Sequence, residues 1–230
     1  MCFSPQADLV GGAVISGIGV DALRHVDRRA SHVALASLPV LFGCHQLVEA
    51  VIWLSLQGHV SPGLGRTALW VYLTVAFVIL PIFVPIAVAA IEPARWRRRL
   101  AGSLAVIGIV VGGILLAAMV RGPMTVAICP YHLAYGVRLS DGWAIAVAYV
   151  VATCGAALLS SDRRIRIFGV ANLVAVAVIA RLTIDGFASL WCAWAAVISA
   201  AIALQMRYGA ARRPVPLGKS RGSPTVVVPR

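Results

Sequence analysis

Residues 33–56 read VALASLPVLFGCHQLVEAVIWLSL, a run in which Glu49 is the only side chain charged at neutral pH. At 1.5 Å per residue a helix of this length crosses the roughly 30 Å hydrocarbon core of a bilayer, so it reads as a transmembrane segment. Six further apolar runs share its character, at about residues 7–23, 67–91, 100–120, 142–159, 167–184 and 187–206. The whole chain is 60% hydrophobic and 12% charged, with a mean hydropathy of +0.91. A soluble domain carries about 25% charged residues, so most of these helices lack a face for water. The fold class that follows is an all-α membrane protein: a seven-transmembrane-helix bundle over residues 1–206, with a basic, proline-rich cytoplasmic tail at 207–230 and too few apolar residues there for a core.

The connections set the orientation. Arg24, Arg28 and Arg29 follow the first run; Arg95, Arg97, Arg98 and Arg99 follow the third; Arg163, Arg164 and Arg166 follow the fifth. Arg207, Arg212, Arg213, Lys219, Arg221 and Arg230 follow the seventh, while the other side holds only Arg66, Arg121, Arg138 and Arg181. Sixteen basic residues against four place the N-terminus outside and the C-terminus in the cytoplasm of an inner (plasma) membrane protein. The same distribution turns the net charge of +12 away from nucleic acid and toward lipid: the partners expected are the bilayer itself and anionic lipid at the tail. The first apolar run has no positive residue before it, which does not fit a cleavable signal peptide.

Local punctuation refines this outline. Ser4-Pro5 reads as an N-cap with proline at the first helical position, and Pro39 falls near the inner end of the second helix. Pro81 and Pro85 predict a kink in the third. Gly63-Leu64-Gly65 reads as a short outer turn. Gly108 and Gly112 stand in GxxxG spacing, which suits close packing inside one chain and also a homo-oligomer seam. The connection at 121–141 differs from the rest: it holds Cys129-Pro130-Tyr131-His132 and Tyr135, and is placed to fold back over the outer mouth of the bundle.

Chemistry concentrates in the second helix. His45 and Glu49 are four residues apart and Gln46 and Glu49 three apart, so they share a face, with Trp53 one turn on. Glu49 lies about 10 Å below the outer end of that helix, where a carboxylate is expensive unless it faces the bundle interior, is paired or is protonated. One reading is an outward-opening polar pocket; the other is a glutamate locked by hydrogen bonds. Arg181 and Asp185, four apart, read as an intrahelical ion pair, though Asp185 turned inward would join the pocket. Cys2, Cys129, His132 and Cys192 fall on the outer side, where thiolate and imidazole suit zinc or copper as metal ligands, a disulfide suits the oxidising compartment, and plain packing is the third reading. Cys44 and Cys154 are expected to pack inside the membrane, and Trp53, Trp70, Trp143, Trp191 and Trp194 fit an outer aromatic belt. Neither GxSxG nor HExxH occurs.

Met1-Cys2-Phe3-Ser4, the stretch from Leu41 to Glu49, Trp53, Pro85-Ile86, Glu92-Pro93 with its arginines, His132-Leu133-Ala134-Tyr135 and Trp191-Cys192 together carry a resemblance. The chain resembles, over residues 1 to 206, an uncharacterised family of bacterial multi-pass membrane proteins whose members begin with the same four residues, a domain of unknown function. The resemblance implies seven membrane helices and a shared site of Cys2, Glu49, His132, Tyr135 and Cys192. Members carry glutamine where His45 stands here, which separates His45 from that set.

Two functions follow as expectations. The first is a pocket of Glu49, His45, Gln46, Trp53, His132, Tyr135 and Asp185 that binds or transports a small solute, cation or lipid headgroup. The alternative is a metal-assisted intramembrane hydrolase acting on a lipid, with an ion on the cysteine–histidine set and Glu49 as base.

Overall fold

The computed structural model describes residues 4–25, 33, 36–130, 132–182 and 187–211. Among them are seven helices and one two-stranded sheet, and five helices are long and apolar enough to cross a membrane. Helix α1 spans Pro5–His25, α2 Leu38–Leu56, α3 Pro62–Ile91, α4 Arg95–Arg121 and α5 Gly142–Leu159; these are the five. Helices α6 (Arg163–Leu182) and α7 (Phe187–Ala211) complete the bundle. Strands β1 (Met124–Cys129) and β2 (His132–Val137) pair antiparallel between α4 and α5, with Val126 opposite Tyr135 and Cys129 opposite His132. Asp185 and the tail from 212 lie outside the described residues, as do Cys2 and the side chain of Cys192.

Several boundaries have plain local causes. Pro5 and Pro39 both sit in a first helical turn, where the missing N–H has no partner to lose. The expected turn at Gly63-Leu64-Gly65 is instead the start of α3: Ser61 accepts the Leu64 amide at 3.3 Å and Pro62 opens the helix. In the middle of α3, Thr74–Ile79 form a π-helical turn, and the Tyr149 hydroxyl donates to the Ala76 carbonyl there at 2.6 Å. Phe77, inside that turn, packs against all three hydrophobic clusters of the bundle.

Glycines let the backbones close. A side-chain carbon on Gly108 would overlap the Pro81 carbonyl, and one on Gly112 would come within 3.3 Å of Val78. The GxxxG face of α4 is therefore packed onto α3 of the same chain. Between α1 and α2, Gly12 lies on Gly43 and Leu47, and Gly19 on Pro39 and Val40. These contacts set an antiparallel register, and one turn back from Gly12 it brings Asp8 level with Glu49 and Trp53.

The hairpin is the part of the 121–141 connection that the apolar pattern did not resolve. Alternation puts Leu133, Tyr135 and Val137 of β2, with Met124 and Val126 of β1, against the cluster formed by Ile52, Trp53 and Tyr72. One end of the bundle is thereby covered by a sheet. At the opposite end Glu92, between α3 and α4, accepts from the Ser161 amide at 2.7 Å and from the Ser161 hydroxyl, and more weakly from the Ala94 amide at 3.4 Å. Arg97 there donates to Ser161 Oγ at 3.2 Å.

Candidate functional site

The polar residues of α2 come together under the hairpin. His45, Gln46, Glu49 and Trp53 are all buried, and Glu49 is wholly so, at 0% exposure. The Tyr135 hydroxyl on β2 donates to Glu49 Oε1 at 3.1 Å. Tyr135 stacks on Tyr72 with ring centroids 4.6 Å apart, and Tyr72 stacks in turn on His45 at 3.9 Å. Three rings from α2, α3 and β2 thus form one wall beside the carboxylate.

The opposing wall is α1. Asp8 is 0% exposed, and Glu49, the N-terminal ammonium and Trp53 are the groups that act on it electrostatically. Among the described residues neither Asp8 oxygen has a hydrogen-bond partner; nor do the two His45 ring nitrogens or the Trp53 indole nitrogen. The indole approaches Asp8 without reaching hydrogen-bond geometry. Unsatisfied buried groups of this kind cost about 1–3 kcal/mol each, so a cluster of them is rarely a packing accident.

The other expected residues distribute as follows. His132 stands opposite Cys129 at the hairpin tip, and period two sets it on the face of β2 away from Tyr135. Among the described residues, no group of three His, Cys, Asp or Glu side chains is arranged to hold a metal ion. Cys44 lies on the outer surface of the bundle within the span Leu38–Leu56, and Cys154 is buried between helices. Trp53 and Trp191 are interior, Trp191 donating to Asn172 Oδ1 at 3.3 Å; Trp143 remains exposed, as a belt residue would be.

Sequence reasoning missed two members of the site, Asp8 and Tyr72. An acidic residue in the first turn of a helix has a ready explanation in the helix dipole, which hid Asp8. Its place three residues after a proline start, ahead of the run of apolar and small residues 9–20, was the signal available.

Glu92 offers a contrast in electrostatics. Burial alone would raise its carboxyl, but the Ser161 hydroxyl and amide, the Ala94 amide and the Arg97 charge together hold it below its ordinary value of 4.5.

Fold and site define a class: a bundle of mostly apolar helices, five of them long and apolar enough to cross a membrane, capped at one end by a β-hairpin over a buried acidic cluster. The chain belongs to a family of unknown function (DUF6629), whose model matches residues 1–218. That assignment fits the uncharacterised family its motifs resemble. No curated protein and no solved structure matches the chain.

Proposed function

We propose that this chain is a multi-pass inner-membrane protein whose polar pocket around Glu49 opens outward and binds or transports a small solute, cation or lipid headgroup. In this reading all seven helices cross the bilayer, with the N-terminus outside and the C-terminus in the cytoplasm. The sixteen-to-four charge asymmetry supports that orientation. The hairpin then lies at the outer mouth and acts as the pocket's cover.

One observation carries the reading: a carboxylate wholly buried in a membrane-length helix, hydrogen-bonded to a tyrosine on the covering hairpin. Intramembrane carboxylates are costly and mark sites of binding or transfer. In the same cluster the Asp8 oxygens, the His45 ring nitrogens and the Trp53 indole nitrogen have no hydrogen-bond partner among the described residues, which favours a site over a lock.

The test is a thermal-shift panel on purified protein with alkali cations, small amines, amino acids and glycerophosphate headgroups. A ligand that raises Tm for the wild type should lose that effect in Glu49→Gln, since stabilisation follows occupancy. Equal responses in both proteins would sink the proposal.

A further inference from the structure

The geometry points to a binding site for an anionic phospholipid at the end of the bundle opposite the hairpin, where the starts of α4 and α6 meet across the end of α5. The site lies apart from the Glu49 pocket and needs no solute there. It shares with that reading only the placement of the helices in a bilayer.

Four arginines open α4 (Arg95, Arg97, Arg98 and Arg99) and three open α6 (Arg163, Arg164 and Arg166). The two groups are far apart in sequence, and the fold joins them. Arg97 donates to the Leu159 carbonyl at 3.4 Å and to Ser161 Oγ at 3.2 Å. Glu92 accepts from the same Ser161, and α6 begins two residues later. Arg97 and Arg164 are half-buried, and the other five are exposed.

The chain does not neutralise this cluster. Two carboxylates stand on the same turns, and both are engaged. Glu92 accepts from Ser161 and Ala94 and answers the Arg97 charge, while Asp162 accepts the Arg164 backbone amide at 2.7 Å. Among the described residues the ion pair formed is His25 with Asp21, on α1, and none of the seven guanidinium groups takes part in one. The tail from 212 carries further basic residues and no acidic side chain, and Asp27 is followed at once by Arg28 and Arg29. The positive ends of both helix dipoles add to the imbalance. The counter-charge therefore comes from outside the chain.

The surroundings of the arginines select a lipid as its source. Trp96 lies among them, 59% exposed, with the Arg97 guanidinium 5.0 Å from its ring centre. An exposed indole of this kind suits the headgroup level of a bilayer, where one part of the ring meets apolar matter and its N–H meets water. One turn deeper, Leu100 follows Trp96 by four residues and Ile167 follows Arg163 by four, and both are exposed. Apolar surface for acyl chains thus begins directly beneath the guanidinium groups. Arginine grips phosphate through paired N–H donors, and basic recesses between membrane helices take acidic headgroups. A lipid phosphate between α4 and α6, with its chains along Leu100 and Ile167, answers the charge and covers the apolar surface together.

Native mass spectrometry of the full chain in detergent, titrated with phosphatidylglycerol or phosphatidylcholine, tests the site. The wild type should retain phosphatidylglycerol at concentrations that leave phosphatidylcholine unbound. A variant carrying Arg95→Gln, Arg98→Gln, Arg163→Gln and Arg166→Gln keeps Arg97 and its contacts, and should weaken retention at least about tenfold. A second variant with Arg212, Arg213, Lys219 and Arg221 replaced by Gln should retain the lipid as the wild type does. Glycerol phosphate, which has the charge without the chains, should not displace it at equal concentration. Equal retention of phosphatidylcholine, an unaltered four-arginine variant, loss in the tail variant, or displacement by glycerol phosphate would each overturn the proposal. Should the four-arginine variant fail to fold, salt decides in the tail variant: its retention of phosphatidylglycerol should fall as ionic strength rises, and indifference to salt overturns the proposal. None of these readouts involves the Glu49 pocket, so the two readings fail separately.

Discussion

Glu92 and Asp8 are carboxylates at opposite ends of the same bundle, exposed 3% and 0% respectively, yet they have opposite surroundings. Glu92 accepts from two backbone amides and a hydroxyl, and its charge is answered by Arg97. Asp8 has no hydrogen-bond partner among the described residues, and the Glu49 carboxyl and the N-terminal ammonium both act on it. Burial is common to both; completion of the hydrogen-bond shell is not. Glu92 clasps the α3–α4 turn to the α5–α6 turn, whereas Asp8 forms no such clasp among the described residues.

The sharpest way to break this contrast is to remove the clasp. Glu92→Ala strands the Ser161 and Ala94 donors, and should cost about 3 kcal/mol of stability, read as a fall in the denaturant midpoint in detergent. A pH scan should show the same residue from another side. Its folded value lies below its ordinary one, so its stabilisation is present above the ordinary carboxylate range and is lost as pH falls through the lowered value. Glu92→Gln should flatten that acid limb of the unfolding curve; an unchanged limb would show that Glu92 is not its source.

At the other end effects on stability should be smaller. Tyr135→Phe removes one hydrogen bond to Glu49 while keeping the ring stack, and should cost about 1 kcal/mol by equilibrium unfolding. Asp8→Asn should change stability least, by less than about 1 kcal/mol, because it removes no hydrogen bond formed between described residues. A loss as large as that of Glu92→Ala would mean that Asp8 is a structural lock after all.

The sequence made the helical frame legible because apolar runs of membrane length have few other uses. The run at 142–159 matches α5 to the residue, and the GxxxG of α4 found its close neighbour. The hairpin was harder. Its strands alternate at Met124 and Val126 and at Leu133, Tyr135 and Val137, but Cys129-Pro130 in the connection is not one of the short turn signatures that announce a hairpin. Of the site, Glu49 with His45, Gln46 and Trp53 could be seen because a helix carries its own spacing. Tyr135 was placed over the outer mouth by the reading of the 121–141 connection, and only the resemblance joined it to Glu49 in one site. Asp8 and Tyr72 join through pairing of α1 with α2 and of α3 with the hairpin, a tertiary fact that no local period encodes.

The π-helical turn at Thr74–Ile79 puts a phase shift inside α3. Such a turn holds one residue more than the α-helical ladder needs, and each residue advances the helix by about 100°. The half that carries Tyr72 toward the acidic cluster and the half that carries Leu80 and Val84 into the core are thus set at separate azimuths. Deleting a single residue between 74 and 79 would restore an even pitch and swing one of those halves off its target. The surplus residue acts as a mechanical offset that lets one continuous rod serve two neighbours.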